Sequence, residues 1–281
     1  MPETYLTQLT HFTTFLTAYT HTLLYLRSLY PQSSFATSKF HNTPVHQSRH
    51  PLVCEWITDA IKAVREELLL GTVAKIGVVV FCYGSEEEDE WLGGDKGSVK
   101  IMERYMFDVS SFPVVPKADR LLDIEFEGSD TDPASEVEVP SRKKKGKMPA
   151  LDKDVPVDMS EQFRAALVTL TMRSSQMIPL PKNCSFNISM ELKDEADVDP
   201  PTRHPQPWIP VQPSLQKTGR KGREDMAEGR NREGGDLGGV KVTPIRSVEA
   251  GVFRFETWVE EGKAKFQEEI LTQDSLASSI G

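Results

Sequence analysis

Cysteine is scarce: Cys54, Cys82 and Cys184 are the only three in 281 residues, and no C-x-x-C pair occurs. An odd, widely spaced set argues against a disulfide framework and predicts separate buried thiols acting as small hydrophobes in a reducing compartment. Long apolar runs are missing too. The longest, IGVVVFCY at residues 76–83, is too short to cross a bilayer as a helix. The N-terminus has neither the basic region nor the unbroken apolar core of a secretory leader. Basic excess is also absent. With 33 Lys and Arg against 42 Asp and Glu the net charge is −9, which excludes a broad, sequence-independent nucleic-acid face. The sequence therefore reads as a soluble, intracellular protein with no direct hold on nucleic acid or membrane.

Catalytic signatures are lacking as well. There is no G-x-S-x-G, no phosphate-binding glycine loop and no H-E-x-x-H, so no nucleophile or metal site is spelled out. His46 and His50 are four apart, but they precede Pro51 in an aperiodic stretch with no third ligand nearby. No catalytic residue, metal or cofactor is expected. A hydrolase or metal enzyme with an unrecognised site is the alternative from a different functional class.

What the chain does have is periodicity. Leu9, Phe12, Leu16, Tyr19, Leu23, Leu26 and Tyr30 step by three and four, predicting a long first helix that ends near Pro31. Its other face is rich in threonine, a poor helix former, so packing must hold it. Residues 30–51 show neither helix nor strand period and read as an aromatic connector. A second helix follows, with Ser48 as its cap, Pro51 in its first turn, a stripe of Val53, Ile57, Ile61, Val64 and Leu68, and Gly71 at its end. Trp56 lies off that stripe. VAKIGVVVFCY and KIMERYMFDV read as a strand pair, the second with Tyr105, Phe107 and Val109 on one face. A third helix carries Phe163, Ala166, Leu167 and Leu170, with Ser160 as cap and Arg164 off the stripe. CSFNISMEL is the next strand.

Composition breaks twice. Residues 128–150 run from acidic to RKKKGK, and 215–239 are rich in Gly, Arg and Glu; both read as disordered insertions. The basic cluster reads either as a nuclear address or as a solvated charge run. A proline-dense stretch holding Trp208 precedes the second insertion. Strand patterns return at VKVTPIR and VFRFETWVEEG. In the latter, Phe253, Phe255, Thr257 and Val259 alternate with Arg254, Glu256 and Trp258, which puts Trp258 on the polar face.

This order of elements resembles the HORMA domain. YLRSLYP, PVHQSRHP, FRAALVTL, PWI and TPIRS with FRFETWVEEG are similar to the mitotic-arrest-deficient-like branch that serves as accessory subunits of translesion DNA polymerase zeta. The resemblance spans about residues 5–127, 155–210 and 240–262. It implies an α+β fold: three main helices packed on a mainly antiparallel sheet, with a mobile C-terminal safety belt. The expected layout is one domain over 1–262, a belt over about 197–262 and a tail over 263–281. The resemblance also implies a non-enzymatic adaptor. Trp56 and Trp208 would hold a peptide of the polymerase catalytic subunit. Val242, Glu256 and Trp258 would dock the C-terminal domain of the scaffold translesion polymerase, although the family carries glutamine and tyrosine where this chain has Glu256 and Trp258. Arg164 would pair HORMA domains as homo- or heterodimers. Localisation is expected to be nuclear, with the cytoplasm as a second site. A spindle-checkpoint or meiotic HORMA adaptor is the nearest alternative.

Overall fold

A computed structural model describes residues 4–83, 99–124, 157–193, 208 and 241–266. Both expected insertions, 128–150 and 215–239, lie outside the described residues. Helix α1 (Tyr5–Leu26) is capped by the Thr4 side chain, which accepts from the Thr7 amide. Thirteen of its 22 residues are buried, far more than one stripe supplies, so it is a central core helix. Its threonines are compatible with this because they bond inward along the helix. Thr20, fully buried, donates to the Leu16 carbonyl at 2.8 Å, and Thr10, Thr14 and Thr17 bond to carbonyls four residues back. The helix ends at Arg27, so Tyr30 does not belong to it.

The connector is not aperiodic. Residues 35–40 (β1) and 43–48 (β2) form an antiparallel hairpin. Its loop is His41–Asn42, and both residues have positive φ, as the tight two-residue hairpin turn requires. Ser48 closes β2 and is not the helix cap. Its Oγ accepts from the His50 amide, and His50 holds the cap position of α2 (Pro51–Leu70) without a side-chain bond. Gly71 ends α2 in the left-handed region, as expected.

The hairpin is fastened to α1 by histidine chemistry. Ser48 N donates to His21 Nδ1, His46 N donates to Thr22 Oγ1, and the His46 ring stacks on Tyr25 with centroids 3.5 Å apart. Burial lowers the pKa of both His21 and His46. Protonating Nδ1 of His21 would remove the acceptor that β2 uses. On acidification the unfolded chain takes up these protons first, near its ordinary value of 6.5. The stability contribution is therefore fully present above that pH and is lost progressively as pH falls below it, through the lower folded values. Urea midpoints are expected to drop between pH 7.5 and 5.5, and His21→Asn, which keeps an acceptor, should flatten that drop.

The main sheet has five strands in the order β5-β3-β4-β7-β6: β3 (Val73–Tyr83), β4 (Val99–Asp108), β5 (Cys184–Leu192), β6 (Lys241–Ala250) and β7 (Phe253–Glu261). Every pair in it is antiparallel. Helix α3 (Val157–Ser175) starts three residues before Ser160, which is therefore inside it and not its cap. The inward faces carry the expected residues: Tyr105, Phe107, Val109, Phe163, Ala166, Leu167, Leu170, Phe253, Phe255 and Val259 are all buried. Phe15 of α1 sits at the centre, stacked on Phe163 at 4.6 Å and near Phe107 and Phe255. Cys82 and Cys184, opposite one another in β3 and β5, are disulfide-bonded. The reading of three separate thiols is thus corrected: strand register brings together two cysteines 102 residues apart. Only Cys54 is free.

Candidate binding surfaces

Strand β5 is hydrogen-bonded to β3 alone and forms one edge of the sheet among the described residues. An edge strand offers a row of amides and carbonyls to any extended chain laid beside it. Phe186 of β5 meets the Trp56 ring edge-on at 5.2 Å and Tyr30 at 6.4 Å. Leu52, one helical turn before Trp56, is 68% exposed. An apolar wall from α2 therefore stands against the open edge. Trp208 is half-buried and packs on the same core. Of these residues, the sequence points to neither Phe186 nor Leu52 as part of a site, and it places Tyr30 only in the stripe of the first helix. Phe186 showed only as one apolar position in an alternating strand, and its neighbour across the fold is 130 residues away in the chain.

The β5 edge and the β6 edge lie at opposite sides of the sheet. Residues 193–240, which connect them, thus join the two edges. The chain leaves the sheet after β5 at one edge and re-enters it with β6 at the other, and β7, next to β6, is hydrogen-bonded to β4.

The second surface is the outward face of β6 and β7. In an antiparallel ladder directly opposite residues point to the same side. Val242 lies opposite Glu260, Pro244 opposite Trp258, and Ser247 opposite Glu256. The structure therefore brings Val242, Glu256 and Trp258 onto one face, as the alternation implies. Val242 is 49% exposed and Glu256 is exposed, but Trp258 is half-buried. Its indole is held: Nε1 donates to Glu260 Oε1 at 2.9 Å, and Glu260 is paired with Arg104 at 2.6 Å.

The third surface is the exposed side of α3. Arg164 points away from the core and is followed at successive turns by Val168 and Met172, 44% and 59% exposed. No three His, Cys, Asp or Glu side chains among the described residues are placed to hold a metal ion. No described helix is long and apolar enough to cross a membrane.

Comparison with known proteins decides what this scaffold is. The HORMA domain model matches residues 9–219. The chain belongs to the HORMA family. Across 247 residues it is 27% identical to the DNA polymerase zeta processivity subunit of Schizosaccharomyces pombe, covering 88% of this chain and 89% of that protein. It is 30% identical over 109 residues to the bovine mitotic spindle assembly checkpoint protein MAD2B, a match spanning 38% of this chain and under half, 45%, of that protein. Among solved structures, a chain of the mitotic checkpoint complex superimposes with a TM-score of 0.54 at 14% identity, covering 90% of this chain and 97% of that one. C. elegans HTP-2 bound to HTP-3 closure motif 1 gives 0.50 at 10% identity, covering 90% and 85%. These two likenesses establish the HORMA fold, and the α+β architecture read from the sequence is that fold.

Proposed function

We propose that this HORMA protein is a non-catalytic accessory subunit of translesion DNA polymerase zeta, an adaptor that wraps a peptide of the catalytic subunit. The polymerase assignment is supported by the processivity subunit to which it is similar over nearly its whole length. The observation that carries the adaptor reading is geometric. Strand β5, an edge of the sheet among the described residues, runs beside an aromatic wall, and the chain re-enters the sheet at the opposite edge, with β6. A peptide added to β5 would lie under the connecting belt.

In this reading the domain spans 1–262, with the belt over about 197–262; the described residues run a little further, through Phe266. Trp56 and Trp208 grip the peptide. Val242, Glu256 and Trp258 dock the C-terminal domain of the scaffold polymerase, bridging it to the catalytic subunit during damage bypass. Arg164, with Val168 and Met172 beside it, pairs HORMA domains. The protein works in the nucleus, through protein partners and without direct contact with nucleic acid.

A second reading, a checkpoint or meiotic adaptor, is favoured by the HORMA relatives whose names refer to the spindle checkpoint and to closure motifs. Immobilised peptides separate the two. A proline-containing peptide from the polymerase catalytic subunit is expected to retain the full-length protein, whereas a checkpoint closure peptide is not. The reverse pattern would assign the chain to the checkpoint class.

A further inference from the structure

Where β7 ends, five side chains form a buried ionic cluster that the peptide and docking surfaces do not use. Arg27, at the C-terminus of α1, grips Glu103 of β4 with two bonds: Nε to Oε2 at 2.9 Å and Nη2 to Oε1 at 2.7 Å. The same guanidinium bonds to the carbonyls of Ser174 and Ile178, at the end of α3 and just beyond it. The Tyr105 hydroxyl donates to Glu103 Oε2 at 2.8 Å. From the other side comes Lys265, in a helical turn just after β7, which bonds to both Glu103 Oε1 and Glu261 Oε1. Lys265, Glu103 and Glu261 have side chains no more than 1% exposed. Lys241, largely exposed, pairs with the second oxygen of Glu261 at 3.2 Å.

The cluster straddles a seam. Arg27, Glu103 and Tyr105 belong to α1 and β4, on the core side. Glu261 and Lys265 belong to β7 and the turn after it, on the belt side. Glu103 and Glu261 are direct partners across the β4–β7 ladder, so two buried carboxylates face each other there. Like charges at that position repel. Lys265 lies between them and makes the pairing favourable. Each side is also balanced by itself: Arg27 against Glu103, and Lys265 against Glu261. Separation breaks the bonds across the seam but leaves no unpaired buried charge, which would otherwise cost several kcal/mol per ion. A permanent brace has no need of that balance; a joint that opens does. The backbone is fitted to the same closure. Gly262 N donates to the Met102 carbonyl at 2.8 Å, and a Cβ at Gly262 would collide with the carbonyl oxygen of Ile101.

We infer that Lys265 is the latch of the safety belt, joining β7 to β4 by bridging Glu103 and Glu261, and that it sets how long a wrapped peptide stays bound. The inference rests on the reading of residues 197–262 as a belt, and its test separates the two. In full-length free protein, Lys265→Met should speed amide exchange in β7 and in residues 262–266 while leaving α2 unchanged, because it leaves two carboxylates opposed at the seam. Gly262→Ala should do the same by steric means. Adding Glu261→Gln to Lys265→Met removes the repulsion and should restore much of the protection; lost packing alone would not be rescued this way. With polymerase peptide bound, Lys265→Met should raise the dissociation rate roughly tenfold or more, the effect of about 1.4 kcal/mol at the seam. Unchanged exchange in β7, an increase spread equally over α2 and β3, or no rescue by Glu261→Gln would overturn the latch. Wild-type protein that binds no such peptide would overturn the adaptor reading, while the exchange data would still decide the latch.

Discussion

Trp56→Ala is expected to weaken binding of the polymerase-derived peptide by roughly 30-fold or more, the 2 kcal/mol or so that a buried aromatic anchor contributes at an interface. Trp56 stands edge-on to Phe186 of β5, an edge strand of the sheet among the described residues. A peptide strand added to that edge would carry alternate side chains onto the indole. Because Trp56 is half-buried, part of its packing exists without any ligand, so the variant should also melt somewhat earlier. Trp208→Ala should match it in affinity loss, since it packs on the same core from the segment that follows β5. Titration calorimetry with a melting curve checks both. Affinity unchanged in a folded variant would remove that tryptophan from the cavity.

The second large effect concerns the outward sheet face. Trp258→Ala is expected to abolish binding to the C-terminal domain of the scaffold polymerase while leaving peptide affinity intact, because β7's outward face and the β5 edge lie on different parts of the sheet. The structure changes one element of this expectation. From alternation alone Trp258 reads as an exposed indole, whose removal should cost the fold little. It is instead half-buried, between Met106 and Pro244 in the ladder, and bonded to Glu260. A stability loss of about 1 kcal/mol should therefore accompany the loss of docking. Calorimetry with both ligands decides it: loss of both partners together would mean that Trp258 serves the sheet and not the scaffold domain.

The sequence is most informative where period and burial coincide. The alternation of Phe253, Phe255, Thr257 and Val259 gave the face of β7 correctly because that strand packs one side on α1 and α3. The stripe on α2 and the left-handed Gly71 were legible for similar local reasons. The β1–β2 hairpin was not. Its burial follows no simple alternation, since it rests on α1 through His21, Thr22 and Tyr25 and not through a continuous apolar face. The informative signal was Asn42, a residue suited to positive φ, between two extended runs. Distances in sequence hid the rest. The Cys82–Cys184 bond depends on strand register, and the Arg27–Glu103–Lys265 cluster joins three segments. Even so, one trace of that cluster was visible: period two places Glu103 inward with Tyr105 and Phe107, and a carboxylate on a buried face requires partners.

The central claim is that an extended partner peptide joins the sheet at β5 beneath a belt anchored at the opposite edge. Amide exchange at residues 184–192 and 241–266, with and without the catalytic-subunit peptide, tests it most directly. Peptide addition is expected to slow exchange strongly along β5, whose outer amides gain partners, and also in β6 and β7, which hold the belt closed. Tight peptide binding with no change at β5 would contradict the account.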